Sequence, residues 1–205
     1  MTLDRLRPLA EKGLSPFVRV ADGLGLSPDG VSVVAFACAV AAGVAFGVRS
    51  PAEAPLLYVA GSALVFLNGW LDLVDGALAR AQGTDSSGGD LLDHVLDRYA
   101  DIAVLVGLAA GIGRYGLGLA AVTGVLMTSY LGTQIQAVGL GREYGGLLGR
   151  ADRLALVGVV GVVAAAVPGP LVVGLGAVAL LLVVFAVVGH LTALQRFWGA
   201  WSDLQ

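Results

Sequence analysis

Four aspartates lie at helical spacing in two apolar stretches of the chain; they are Asp72, Asp75, Asp93 and Asp97. Steps of three and four residues return a side chain to the same face of a helix, so each pair of aspartates shares a face. A short polar loop joins the two stretches, and adjacent antiparallel helices can bring the two faces together. The sequence therefore predicts four carboxylates around one centre.

Carboxylates in an apolar helix need a counter-charge. One charged aspartate at the centre of a membrane helix costs about 2.5 to 3.5 kcal/mol on insertion scales, and neighbouring carboxylates also repel each other. Hard divalent cations offset both effects, and Mg2+ typically binds one or two carboxylates together with substrate phosphates. Solvation at a helix end accounts for one such acid but not for four at regular spacing. We therefore expect a metal site that acts on a phosphate-bearing substrate.

Small residues and an arginine accompany the acids. Gly76 and Ala79 leave room for a ligand beside the carboxylates, and Arg80 is a forked donor suited to phosphate. The complete pattern is Asp72-x2-Asp75-Gly76-x2-Ala79-Arg80-x8-Gly89-x3-Asp93-x3-Asp97. It matches every fixed position in the signature of the CDP-alcohol phosphotransferases, also called CDP-alcohol phosphatidyltransferases. Eight fixed residues at fixed gaps are far more specific than a lone GxxxG, and the chain is identified by this resemblance as a member of that family.

The resemblance implies a role for each position. Asp72, Asp75 and Asp93 would bind divalent metal, as two ions of Mg2+ or Mn2+, and Asp97 would act as base while also lying at the metals. The positions implied for the CDP moiety are Asp72, Gly76, Ala79, Arg80 and Gly89. Asp97 would deprotonate an acceptor hydroxyl, which attacks the lipid-linked phosphorus and expels CMP. This scheme agrees with what metals and a positioned carboxylate do chemically, and the family also implies a homodimer.

The acceptor alcohol is less closely defined. Arg150 and Arg153 lie near a predicted helix start and form a candidate anion pocket, similar to the phosphate-binding pair of relatives that accept inositol phosphate. A positive-inside anchor is the alternative. Those relatives also carry basic residues after a Ser-Tyr pair, where this chain has neutral residues beyond Ser129 and Tyr130. We expect a phosphorylated polyol, either inositol phosphate or glycerol phosphate, with serine as the alternative.

The composition is that of a membrane protein. Of 205 residues, 57% are hydrophobic and 13% charged, and the mean hydropathy is +0.86. A hydrocarbon core about 30 Å thick needs ~20 apolar residues per helix, so this length holds about six spans. We expect one all-α integral membrane domain over 1–205, with a surface amphipathic helix over 1–26 and a six-helix bundle over about 31–194. The predicted spans lie at about 31–48, 55–80, 90–113, 116–139, 152–168 and 170–194.

Charge excludes one class of partner and orients the chain. A net charge of −3 and a pI near 5.2 provide no basic field for nucleic acid. With six spans, both termini share one side with the connections that contain Arg80 and Arg150, whereas the other side carries only Arg49 and Arg114. By the positive-inside rule, the arginine-rich side is cytoplasmic. Both termini and the aspartates are therefore expected at the cytoplasmic face of the cell membrane.

The composition also bears on the donor lipid, and two other classes of membrane protein place carboxylates in apolar helices. A single lysine, an acidic balance and abundant Gly, Ala and Val resemble halophilic archaeal proteins, so the donor lipid is archaeol-based or diacylglycerol-based. A cation-coupled transporter also keeps carboxylates at membrane depth, but transporters show inverted repeats or interrupted helices, and no convincing repeat is found. An intramembrane prenyltransferase usually needs more spans than this chain can supply.

Overall fold

The computed structural model describes the backbone of residues 7–141 and 147–205, and the side chains from residue 13 within these ranges. This part of the chain is all-helical apart from its connections and one isolated bridge between Val172 and Leu175. The helices are α1 (Arg7–Gly23), α2 (Pro28–Gly47), α3 (Pro55–Gln82), α4 (Ser87–Gly111), α5 (Tyr115–Ala137), α6 (Arg150–Ala166) and α7 (Ala177–Asp203). Residues 1–6 of the predicted surface helix and 142–146 before α6 lie outside the described residues.

Capping residues define the end of α3 and the start of α4, which carry the aspartates, and the start of α2. Gly83 ends α3 in the left-handed conformation at φ 64°, which costs a glycine nothing. The Ser86 hydroxyl then caps α4 by accepting a hydrogen bond of 3.0 Å from the Gly89 N–H. At the start of α2, the Ser27 hydroxyl caps the Gly30 N–H in the same way at 3.1 Å. A short connection thus joins the two aspartate-bearing helices. Contrary to the expectation from the sequence, the described residues of these two helices do not pack directly against each other; α2 packs against both.

Glycines allow α4 and α5 to approach their partner helices closely. A Cβ added to Gly107 of α4 would overlap the backbone carbonyl of Gly43 in α2. In the same way, a Cβ on Gly189 of α7 would overlap the backbone of Gly124 in α5. Small residues at such crossings let helices pack through backbone contacts, which is common in membrane proteins. The result is a bundle in which α2 packs against both α3 and α4, and α5 packs against α7.

The helix that precedes the bundle lies against α3. Leu14 and Ala21 of α1 are buried in a small cluster with Val74 and Leu78 of α3. The ring of Phe17 meets the ring of Trp70 edge-on, with centroids 5.1 Å apart. Other apolar residues of this segment are exposed; they are Val20, Leu24 and Leu26. One face of α1 therefore packs against α3, whereas the exposed apolar side chains of this segment do not take part in that packing.

Four helices in the described part of the chain are long and apolar enough to cross a membrane, namely α2, α3, α5 and α7. The protein is therefore a membrane protein of helical architecture. The other two predicted spans correspond to α4, which carries the charged residues of the aspartate motif, and to α6, which has 17 residues. Neither meets the same criterion of length and composition.

The predicted limits of the last span, 170–194, are wrong. The helix begins at Ala177 and continues to Asp203. Pro168 and Pro170 cannot donate backbone hydrogen bonds, and Gly174 has φ 74°, so residues 167–176 form a turn closed by the bridge between Val172 and Leu175. The residues before Ala177 are apolar but not helical, so hydropathy alone placed the start of the span too early.

Candidate active site

Three of the four aspartates converge. Asp72 and Asp75 of α3 and Asp93 of α4 each offer a carboxylate oxygen, and these oxygens lie within 4.8 Å of one another. Asp75 is buried, and the other two are partly exposed. A set of carboxylate oxygens at this spacing fits a hard divalent cation such as Mg2+ or Mn2+. The geometry therefore agrees with a metal site at the position that the sequence predicts.

Asp97 lies one helical turn beyond Asp93 and lines the same small cavity as Asp72 and Asp75. Its side chain is 13% exposed, and its Oδ1 is 2.6 Å from Nη2 of Arg150. Nη1 of the same guanidinium lies 2.5 Å from Oδ1 of Asp72. One arginine of α6 thus bridges an aspartate of α3 and an aspartate of α4.

The second predicted acceptor residue lies next to the first, one turn further along α6. Nη2 of Arg153 contacts Oδ2 of Asp101 at 3.0 Å, and both side chains are at most 9% exposed. Among the described side chains, Nε of Arg150 and Nε of Arg153 are both buried without a hydrogen-bond partner. Buried donors are almost always paired in proteins, so these two donors on successive turns of α6 are exceptions to the usual pairing.

A serine that sequence reasoning missed supports the cluster. The Ser32 hydroxyl of α2 donates a hydrogen bond of 2.6 Å to Oδ2 of Asp75, and the Gly76 N–H donates to its Oδ1 at 2.6 Å. Nearby, the Asn68 amide of α3 donates to the Ala35 carbonyl of α2 at 2.9 Å. Ser32 lies 43 residues from Asp75 in sequence, and the surrounding Pro28-Asp-Gly motif reads only as a helix start.

A cleft of about 740 Å³ adjoins the aspartates. Its lining includes four of the residues predicted for the nucleotide, which are Gly76, Ala79, Arg80 and Gly89. Asp75 and Asp93 form its inner end, whereas Asp72, the fifth predicted residue, lines the neighbouring cavity with Asp97 and Arg150. This volume lies within the range of about 300–1,000 Å³ of typical ligand pockets.

The start of α2 forms the other wall of this cleft, which the sequence did not predict. Ser27, Asp29 and Ser32 line it. A Cβ on Gly89 would lie 3.3 Å from the Ser86 hydroxyl and 3.4 Å from Oδ1 of Asp29. Glycine at this position therefore keeps the cleft open between α2 and α4.

Comparisons with known proteins agree with this arrangement. A family model described as CDP-alcohol phosphatidyltransferase matches residues 26–201. The chain is 30% identical over 207 residues to the archaetidylinositol phosphate synthase of Methanothermobacter thermautotrophicus, covering 99% of this chain and 96% of that protein. It also resembles the crystal structure of the Mycobacterium tuberculosis phosphatidylinositol phosphate synthase with CDP-DAG bound, with a TM-score of 0.75, 28% identity and coverage of 92% and 93%. The same enzyme in complex with manganese and citrate gives a TM-score of 0.75, 27% identity and coverage of 92% and 88%.

Proposed function

We propose that this chain, which belongs to the CDP-alcohol phosphatidyltransferase family, transfers the phospholipid unit of a CDP-lipid to inositol phosphate and releases CMP. Family membership makes the chain a membrane transferase of phospholipid biosynthesis. The observation that carries the proposal is the convergence of three carboxylate oxygens within 4.8 Å, in a small cavity that shares Asp75 and Asp93 with the cleft. Such a centre suits a substrate that brings a pyrophosphate to a divalent metal.

In the proposed reaction, Asp72, Asp75 and Asp93 hold divalent metal, and Asp97 also lies at the metal centre. Bound Mg2+ or Mn2+, as two ions, would neutralise charge on the pyrophosphate and on the leaving CMP. Asp97 takes the proton from the acceptor hydroxyl, whose oxygen then bonds to the lipid-linked phosphorus as the bond to CMP breaks. The burial of Asp97 beside Asp72 supports this role.

The CDP moiety is proposed to occupy the cleft between α2, α3 and α4. Gly76, Ala79 and Gly89 provide space along its wall, and Arg80 supplies a cationic donor to the phosphates. Asp72, at the border with the inner cavity, completes the set assigned to the nucleotide. A structural neighbour that covers 92% of this chain binds CDP-DAG, which supports a CDP-lipid as the ligand of this cleft.

Arg150 and Arg153 are proposed to bind the phosphate of the acceptor. The support is that both guanidinium groups lie on successive turns of α6 and each has an Nε without a hydrogen-bond partner; a phosphate offers more charge and more acceptor oxygens to such donors than the single carboxylate of serine. The relatives named as synthases of inositol phosphate lipids favour inositol phosphate over glycerol phosphate. The loss of basic residues after Tyr130 makes this pocket less cationic than the resemblance leads one to expect.

The membrane arrangement is also part of the proposal. The whole chain forms one domain in which α4 and α6 complete six spans, and α1 lies at the membrane surface. Both termini and the active site face the cytoplasm at the cell membrane, and two copies form a homodimer. The donor lipid is CDP-archaeol, with CDP-diacylglycerol as the second candidate.

An assay of acceptor choice tests the proposal. Purified protein with Mn2+ receives CDP-archaeol or CDP-diacylglycerol and then inositol phosphate, glycerol phosphate or serine, and CMP and the lipid product are measured. We expect CMP release with inositol phosphate and a lipid that gains the mass of that acceptor. Activity with serine alone would overturn the acceptor assignment, and equal activity with glycerol phosphate would remove the preference for inositol. Cation-driven uptake without CMP release would favour a transporter instead.

A further inference from the structure

The guanidinium of Arg150 forms ion pairs with two aspartates that have different proposed roles. Nη1 of Arg150 lies 2.5 Å from Oδ1 of Asp72, a proposed metal ligand, and Nη2 lies 2.6 Å from Oδ1 of Asp97, the proposed base. Both roles need carboxylate oxygens that the arginine occupies in this structure. The arrangement therefore places one cation in competition with metal binding and with proton transfer.

The Arg150 side chain links α6 to the aspartates of α3 and α4. Within the described ranges, α4 and α6 do not pack directly against each other, because α6 contacts α3 and α7. The arginine side chain, 17% exposed, extends from the first residue of α6 into the space between them. A planar guanidinium suits two carboxylates at once, since its paired N–H groups form charge-assisted hydrogen bonds in fixed directions.

We propose that Arg150 is the internal counter-cation of the aspartate cluster, and that it keeps Asp97 from activating water until the acceptor phosphate draws its guanidinium away. The proposal rests on the proposed function, because it assumes that Asp97 is the base and that the acceptor carries a phosphate. Phosphate binds a guanidinium in the same forked geometry as a carboxylate. Nε of Arg150 has no hydrogen-bond partner in this position, so movement of the side chain to a phosphate would add a hydrogen bond that the bridge to the two aspartates lacks.

The reaction thereby suppressed is hydrolysis of the donor. Water would give a proton to Asp97, its oxygen would bond to the lipid-linked phosphorus, and the bond to CMP would break. The products would be CMP and a lipid phosphate, with no acceptor consumed. While Asp97 is bonded to Arg150, its Oδ1 is occupied and the positive charge beside it stabilises the carboxylate, which disfavours proton transfer from water to either oxygen. Arg150 is thus a positioning residue that couples donor cleavage to acceptor binding.

Metal binding without nucleotide or acceptor tests the counter-cation. Mn2+ is titrated into the wild-type protein and into Arg150→Gln, with free Mn2+ followed by electron paramagnetic resonance. Because Arg150→Gln removes the competing charge, we expect it to bind Mn2+ about tenfold more tightly. Arg153→Gln removes a charge of the same pocket that does not contact Asp72 or Asp97, and its affinity should change less than about threefold. Equal or weaker Mn2+ binding by Arg150→Gln would overturn the proposal.

Arg150→Lys covers the case in which the glutamine variant does not fold. Lysine keeps the charge but cannot bond two carboxylates in the forked geometry. We expect its Mn2+ affinity to rise about threefold above wild type. An unchanged affinity would contradict the two-carboxylate bridge.

Release of CMP from the CDP-lipid without any acceptor tests the second half of the proposal. It should rise about tenfold in Arg150→Gln, because Asp97 is then free to accept a proton from water. Arg114→Gln, at an exposed arginine outside the site, should equal wild type. No rise in Arg150→Gln would overturn the protection of Asp97. If wild type releases no CMP with any acceptor, the proposed function fails, whereas tighter Mn2+ binding by Arg150→Gln would still support the counter-cation.

Discussion

The four aspartates differ in what surrounds each carboxylate. Asp75 accepts hydrogen bonds from the Ser32 hydroxyl and the Gly76 N–H, so its orientation is fixed by α2 and by its own helix. Asp72 and Asp97 share the guanidinium of Arg150. These partners divide three of the four acids into Asp75, which is held by neutral donors, and Asp72 and Asp97, which are held by a cation.

Replacing the proposed base should stop the transfer without loss of the fold. In Asp97→Asn the amide cannot accept the proton, and we expect kcat to fall by about 10²- to 10⁴-fold. CMP release is measured with the CDP-lipid and inositol phosphate. Asp203→Asn, at the exposed end of α7, is the matched control and should retain wild-type activity. Normal turnover in Asp97→Asn would disprove the assignment of this base.

The Ser32 hydroxyl should affect the metal through Asp75. Ser32→Ala removes the 2.6 Å hydrogen bond to Oδ2 of Asp75, and loss of such an orienting partner typically weakens metal affinity about 10- to 100-fold. A Mn2+ titration measures the effect. Ser50→Ala removes a hydroxyl that donates to Glu53 at the far end of α2 and should leave the affinity unchanged. Equal affinities of Ser32→Ala and wild type would show that Asp75 does not need this donor.

At the level of helices, the site depends on how closely α2 approaches α4. Ser32 lies on α2 and Asp93 on α4, and the crossing at Gly43 and Gly107 sets the spacing between the two helices. Overpacking at such a crossing typically costs about 1–3 kcal/mol. Changes there should therefore reach the site through the helices that carry it.

Gly107→Ala tests this dependence. The added methyl group would overlap the Gly43 carbonyl, and we expect the free energy of unfolding to fall by about 1–3 kcal/mol, as measured by denaturation in detergent. Gly116→Ala in α5 is the control, because a Cβ there meets nothing within 4 Å. If both variants unfold like wild type, the close crossing of α2 and α4 does not contribute to stability.

Five of the six spans predicted from the sequence agree with α2 to α6 within a few residues at each end. The prediction failed at the start of α7, since hydropathy alone cannot distinguish the turn at 167–176 from a helix. The convergence of the aspartates was predicted from their spacing, but not the role of α2, which packs against both α3 and α4 while the described residues of those two helices do not pack against each other. The bridge made by Arg150 was not predicted either, because a long side chain that crosses between α6 and α3 depends on tertiary geometry.

For the whole molecule, the space between α4 and α6 is the central feature. Helices pack around it, and arginine side chains from α6 cross it to reach α3 and α4. Arg150 lines a small cavity here together with the four aspartates, and this cavity shares Asp75 and Asp93 with the cleft formed by α2, α3 and α4. This arrangement allows a lipid-linked donor and a water-soluble acceptor to meet at one set of carboxylates.

The proposed orientation can be measured with single cysteines. Cys38→Ser removes the only native thiol, after which Arg114→Cys or Ser202→Cys is introduced at exposed positions. By the positive-inside rule, a membrane-impermeant maleimide should label position 114 in intact cells and position 202 only after lysis. The reverse pattern would place the active site on the outer face.

The most direct test of the whole account is the metal dependence of CMP release. Purified protein is stripped with EDTA, supplied with the CDP-lipid and inositol phosphate, and then titrated with Mn2+ or Mg2+ while CMP and the lipid product are quantified together. We predict no CMP without metal, and restored release with one lipid product formed per CMP once metal is added. Release that persists after EDTA treatment, or no release with any metal, would contradict a metal-dependent transfer at Asp72, Asp75, Asp93 and Asp97.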